Sequence, residues 1–119
     1  MKYVLIVDDD KDLTETLKMR LEVEDFEVGV VHDGEEAIKK VNEKAPDLII
    51  MDVLMPRLDG LGTIQKINQL REQKIPFIIM TGTAVMMEET FRIEGARVFF
   101  KKPFDGSKMV KYAKEILNA

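Results

Sequence analysis

Short apolar runs that alternate with helix-period segments constrain this chain more than any other feature. Four runs stand out: Tyr3 to Val7, Asp47 to Met51, Pro76 to Met80 and Val98 to Phe100, with a weaker one over Glu27 to Val31. Their apolar character is continuous rather than alternating, as a strand covered on both faces requires. Their lengths suit strands, and β-branched residues dominate several of them.

Helical period fills the gaps. From about Asp12 to Glu24, Leu13, Leu17 and Leu21 share one face. A second helix begins at Asp33-Gly34-Glu35-Glu36, an Asp-x-x-Glu capping pattern, turns Ala37, Ile38 and Val41 inward, and ends by Ala45-Pro46. A third carries Leu61, Ile64, Ile67 and Leu70. A fourth, over Val85 to Glu94, pairs Met87 with Phe91 and stops at Gly95. The last presents Met109, Val110, Ala113, Ile116 and Leu117 as one stripe. Five such alternations predict an α/β fold: a doubly wound, five-stranded parallel sheet with five helices on its two faces. At 119 residues the chain is one domain, 1–119, with no internal repeat or linker.

Composition closes off several functions. Eighteen basic against 22 acidic residues give a net charge of −4, which argues against direct nucleic-acid binding. With no Cys and a single His, His32, thiolate zinc sites, multi-histidine sites and cysteine nucleophiles are excluded. His32 itself reads as a surface or strand-end residue. The first apolar run is too short for a signal peptide or a membrane span, so a cytoplasmic location without membrane contact is expected.

In doubly wound sheets, ligands bind beyond the carboxyl ends of the strands. Those positions hold Asp8-Asp9-Asp10, His32-Asp33, Asp52, Thr81 and Lys101-Lys102. Helix capping explains one or two of the first acids, Asp10 or Asp12. It does not explain Asp52, which ends a different strand at the same edge. Converging carboxylates repel, and an all-oxygen donor set attracts Mg²⁺, with Mn²⁺ as an alternative. Lys102, ahead of Pro103, can aim an ammonium across the strand ends, although one of Lys101 and Lys102 must face water. The Thr81 hydroxyl can donate into the same space. Carboxylates, metal, hydroxyl and ammonium are the parts of a phosphoryl-transfer site, with Asp52 as candidate nucleophile.

The order and spacing of several segments resemble the receiver domain of bacterial two-component response regulators. These are Val4-Leu5-Ile6-Val7-Asp8-Asp9, Pro46 through Pro56, Leu58-Asp59-Gly60, Pro76 through Gly82, Gly95-Ala96, and Phe99 through Phe104. The resemblance implies a flavodoxin-like receiver fold and a phosphorylation-activated switch that acts as a regulator rather than an enzyme. It implies that Asp52 is the phosphoacceptor. Asp8, Asp9 and the backbone carbonyl of Leu54 would hold Mg²⁺ beside Asp52, with Asp9 the more direct ligand. Thr81 and Lys102 would take phosphoryl oxygens, Phe99 would be the switch aromatic that follows Thr81, and the Lys102–Pro103 bond would be cis. The implied donor is a sensor histidine kinase or a small acyl phosphate. A downstream target or phosphotransfer protein would read the face made by the fourth helix, fifth strand and last helix, where Met86, Met87 and Phe91 are candidate contacts. Ending at Ala119, the chain is expected to be a stand-alone regulator of chemotaxis or phosphorelay type, or a receiver cut from a longer protein.

A haloacid-dehalogenase-type phosphatase, with Asp8 as nucleophile, is the alternative. It accommodates Asp8-Asp9-Asp10, Thr81 and Lys102, but Asp12 stands where it expects threonine or valine. It also leaves Asp52 through Pro56 unexplained. A calcium loop fails because Leu13 and Met19 occupy its glycine and glutamate positions. Gly60-Leu61-Gly62 lacks the third glycine of a dinucleotide fingerprint.

Overall fold

A computed structural model describes residues 1–54, 59–83 and 87–118. Among the described residues ten elements alternate: β1 (Tyr3–Val7), α1 (Lys11–Val23), β2 (Glu27–Val31), α2 (Gly34–Glu43), β3 (Leu48–Asp52), α3 (Gly60–Gln69), β4 (Phe77–Thr81), α4 (Glu88–Ile93), β5 (Ala96–Lys101) and α5 (Gly106–Leu117). All pairings are parallel, in the order β2-β1-β3-β4-β5. The chain thus reverses direction across the sheet between β1 and β3. A crevice opens at such a reversal, beyond the carboxyl ends of both strands.

Every residue of β1, β3 and β4 is buried. Strand alternation divides them between two cores. Leu5, Val7, Ile49, Met51 and Ile79 pack with Ala37, Val41, Ile64, Ile67 and Phe91 of α2, α3 and α4. Val4, Ile6, Leu48, Ile50, Ile78 and Met80 pack with Leu17 and Leu21 of α1 and with the α5 stripe. Each fully buried side chain contributes roughly 1.5–3 kcal/mol of transfer free energy. The continuous apolar runs are therefore a direct requirement of being covered twice. The edge strand β2 is only partly buried over Val28 to Val30, which is why its run reads weakly.

Four of the helices start on an aspartate whose side chain accepts a backbone N–H: Asp10 for α1, Asp33 for α2, Asp59 for α3 and Asp105 for α5. Each satisfies an otherwise orphaned helix donor. The reciprocal half of the box at α2 is shifted by one residue, since Glu36 accepts from the N–H of His32 at 3.4 Å rather than from Asp33.

Several boundaries differ from expectation. β3 and β4 each start and end one residue later, so Asp52 and Thr81 are the last residues of their strands rather than the first beyond them. β5 begins at Ala96 and takes in Lys101. Leu70 caps α3 and is 45% exposed, outside the core. Met87 is 60% exposed and precedes α4 in a left-handed conformation, while its expected partner Phe91 is buried in the core. The helix expected from Val85 is thus described only from Glu88, and Val85 and Met86 lie outside the described residues. The stop at Gly95 has a steric cause: its φ of +117° is reserved for glycine, and a Cβ there would lie 2.7 Å from the carbonyl oxygen of Ile75.

Candidate phosphoryl-transfer site

Asp8 extends β1 by one residue, its N–H bonded to the carbonyl of Val31 at 3.2 Å. Its side chain is fully buried: Oδ1 accepts the N–H of Asp10 at 2.9 Å, and Oδ2 accepts from Lys102 Nζ at 2.7 Å. Asp52 closes β3 and is also buried. Its Oδ1 accepts the N–H of Leu54 at 2.8 Å, and its Oδ2 accepts from the same Lys102 Nζ at 2.9 Å. Asp9 is exposed. One carboxylate oxygen from each of Asp8, Asp9 and Asp52 lies within 4.8 Å of the other two.

The electrostatics follow from that crowding. Two carboxylates at this separation repel by about 3 kcal/mol at an effective dielectric of 20. Burial pushes the Asp8 carboxyl above its usual range, and the nearby Asp52 charge pushes the same way. The Lys102 ammonium and the Asp10 N–H offset this only in part. For Lys102, burial works against the charged form, but hydrogen bonds to Asp8 and Asp52 outweigh it, and its pKa is raised. The contact therefore keeps the lysine charged, while Asp8 still bears a net desolvation cost. One ammonium among three carboxylates leaves an excess negative charge that suits a divalent cation. With oxygen as the only donor type, the residues fit Mg²⁺ or Mn²⁺.

Lys102 reaches the crevice because its N–H bonds to the carbonyl of Thr81 at 2.7 Å, just past the β4–β5 register pair Thr81 and Lys101. Lys101 is the exposed one of the two lysines, and the Lys102–Pro103 peptide is cis. Thr81 is buried, and its hydroxyl accepts the N–H of Thr83 at 3.2 Å. Phe99 is half-buried beside α4: Phe91 meets its ring edge-on at 6.4 Å between centroids, and the Arg92 guanidinium lies 4.9 Å from its centroid. Asp8, Asp9, Asp52 and Lys102 are thus brought together. Thr81 stands at the adjacent strand end, and Phe99 is held by α4.

Two contacts were not legible in the sequence. Leu54 is tied to Asp52 through its own N–H, while its apolar side chain is 54% exposed. His32 places Nδ1 at 2.8 Å from the carbonyl oxygen of Asp8. Strand order alone could have indicated the latter, since β2 borders β1.

A family model described as the response regulator receiver domain matches residues 4–114. The transcriptional regulatory protein CpxR of Escherichia coli strain K12 is 36% identical over 118 residues, covering 98% of this chain and 50% of that protein. The alkaline phosphatase synthesis transcriptional regulatory protein PhoP of Bacillus subtilis is 36% identical over 119 residues, covering 98% of this chain and 48% of that protein. The chain thus spans about half the length of these relatives. A CheY-like response regulator receiver domain from Methanospirillum hungatei superposes with a TM-score of 0.89 at 28% identity, covering 99% of this chain and 94% of that one. The phosphatase alternative finds no support, because the matched span runs through the Asp52 segment which that alternative leaves unexplained.

Proposed function

This chain belongs to the response regulator receiver domain family, a two-component signalling switch, and from that membership we propose that Asp52 is the residue that takes the phosphoryl group. A carboxylate oxygen of Asp52 attacks phosphorus of a phosphohistidine on a sensor histidine kinase, or of a small acyl phosphate. The bond to the leaving nitrogen or oxygen breaks as the acyl phosphate forms. Asp8, Asp9, Asp52 and the Leu54 carbonyl would hold Mg²⁺, with Mn²⁺ able to substitute. The ion supplies neutralisation of charge on the transferring phosphoryl oxygens. Lys102 exchanges its Asp52 contact for a phosphoryl oxygen, and the Thr81 hydroxyl turns from the Thr83 N–H to another. Phe99 then moves into the space Thr81 leaves, which makes phosphorylation a bias on a two-state element.

The observation that supports this best is the two-sided bond of Lys102 Nζ to Asp8 and Asp52. An ammonium already seated between carboxylates of two strands is positioned to follow charge as it transfers to the acceptor. On this reading residues 1–119 are one receiver domain that regulates rather than turns over an external substrate. It is set in the cytoplasm and has no direct nucleic-acid contact. Among the described residues no helix is long and apolar enough to cross a membrane. A downstream protein or phosphotransfer protein reads the α4–β5–α5 face, where Ile93 and Tyr112 are exposed.

Transfer of labelled phosphate in the presence of Mg²⁺, followed by peptide mapping, tests the assignment. Label on Asp52, lost in Asp52→Asn with the fold intact, is the expected result. Label on Asp8, or retained labelling of Asp52→Asn, overturns it.

A further inference from the structure

The ladder between β1 and β2 continues one bond beyond the strands, from the N–H of Asp8 to the carbonyl of Val31. In a parallel ladder the carbonyl of Asp8 would next accept the N–H of residue 33. Asp33 does not supply it: it serves as the N-cap of α2, and no backbone bond joins its N–H to that carbonyl. The imidazole of His32 takes that place, with Nδ1 at 2.8 Å from the Asp8 carbonyl oxygen. A carbonyl oxygen only accepts, so Nδ1 carries the hydrogen. The backbone of His32 is held in turn from α2, through its N–H to Glu36 Oε2 at 3.4 Å.

The bonded carbonyl belongs to the peptide that joins Asp8 to Asp9. Fixing it sets the plane from which Asp9 departs. Asp8 has its own restraints, the N–H of Asp10 and the ammonium of Lys102. Asp9 is exposed, and its place in the acidic triad depends on how its backbone is presented. We propose that His32 is a positioning residue for the divalent-cation site, acting through the Asp8–Asp9 peptide to aim the Asp9 carboxylate at the cation. The inference rests on the metal reading of the acidic cluster given above.

Groups that orient metal ligands without touching the metal commonly govern its affinity by tenfold or more. The test is calorimetric titration with Mg²⁺ alone, on unphosphorylated protein, for the unaltered chain, His32→Ala and His32→Asn. Asparagine keeps an N–H donor at about the reach of Nδ1, whereas alanine removes it. Mg²⁺ affinity is expected to fall about tenfold in His32→Ala and to return to within about twofold of the unaltered value in His32→Asn. Thermal melts without metal run alongside, since a merely structural role would lower the melting temperature and leave Mg²⁺ affinity unmoved. Unchanged affinity in His32→Ala, or equal losses in both variants, overturns the positioning role alone. Failure of the unaltered chain to take up Mg²⁺ overturns the metal reading and this inference with it.

Discussion

Lys102 Nζ stands 2.9 Å from the Oδ2 of Asp52, although 50 residues separate them in the chain. The same nitrogen lies 2.7 Å from Asp8, so one ammonium screens two buried carboxylates from each other. On the proposed reading, stability and signalling therefore draw on the same contact.

Removing that ammonium exposes the conflict. In Lys102→Ala, Asp8 and Asp52 remain buried without their shared counter-charge, which is expected to destabilise the metal-free fold by about 3 kcal/mol. Added Mg²⁺ should recover much of the loss, because the carboxylates remain to bind it. Switching should suffer more than metal binding. The check is denaturant unfolding with and without Mg²⁺, together with the phosphorylation-dependent spectral shift. A shift of unchanged size would remove Lys102 from the switch.

Asp8 should cost the fold stability at neutral pH. Its pKa is raised in the folded state, so its favourable contribution is complete below the ordinary carboxylate range, around pH 4, and is lost as pH rises through the higher folded value. Asp8→Asn is thus expected to be more stable than the unaltered protein at pH 7. The advantage should vanish on acidification. Melting curves across pH decide this, and an Asp8→Asn protein less stable at pH 7 would contradict it. For Lys102, also raised, the sign is the same, but the window is alkaline: its contribution holds below the ordinary lysine range and is lost above it.

Metal should reverse that ranking. A cation that binds only the folded state stabilises it by about 2.7 kcal/mol at a hundredfold excess over its dissociation constant. Mg²⁺ should therefore raise the melting temperature of the unaltered chain far more than that of Asp8→Asn or Asp52→Asn. Equal increments in all three would place the ion elsewhere.

Leu54 is expected to lengthen the phosphorylated lifetime. Its exposed side chain follows the proposed acceptor by two residues and offers no group to orient an attacking water. Leu54→Asn should shorten the lifetime several-fold without altering Mg²⁺ affinity, as a decay time course of labelled protein would show. A lifetime of seconds in the unaltered chain would count against the idea.

Much of the fold is legible in the amino-acid order alone. Continuous apolar runs in β1, β3 and β4 arise because each strand is covered on both faces, so burial is written into local composition. Aspartates at the strand ends and Lys102 before Pro103 point to the proposed chemistry by residue type. Boundaries slip where tertiary context overrides local pattern. Asp52 and Thr81 are polar, yet they are paired within the sheet and so belong to their strands. Met87 keeps helical spacing with Phe91 but is exposed ahead of the helix, so periodicity there has no packing partner to enforce it.

The sequence by itself determined the class of fold and the candidate reactive groups, because periodicity, capping and side-chain chemistry are local properties. Only the tertiary structure decided that β1 lies between β2 and β3. It also decided that a lysine just past β5 reaches acids at the ends of β1 and β3, and that His32 meets the carbonyl of Asp8. Those relations follow from pairing between distant segments. Such pairing is set by how whole strands and helices cover one another, and no short stretch of residues encodes it.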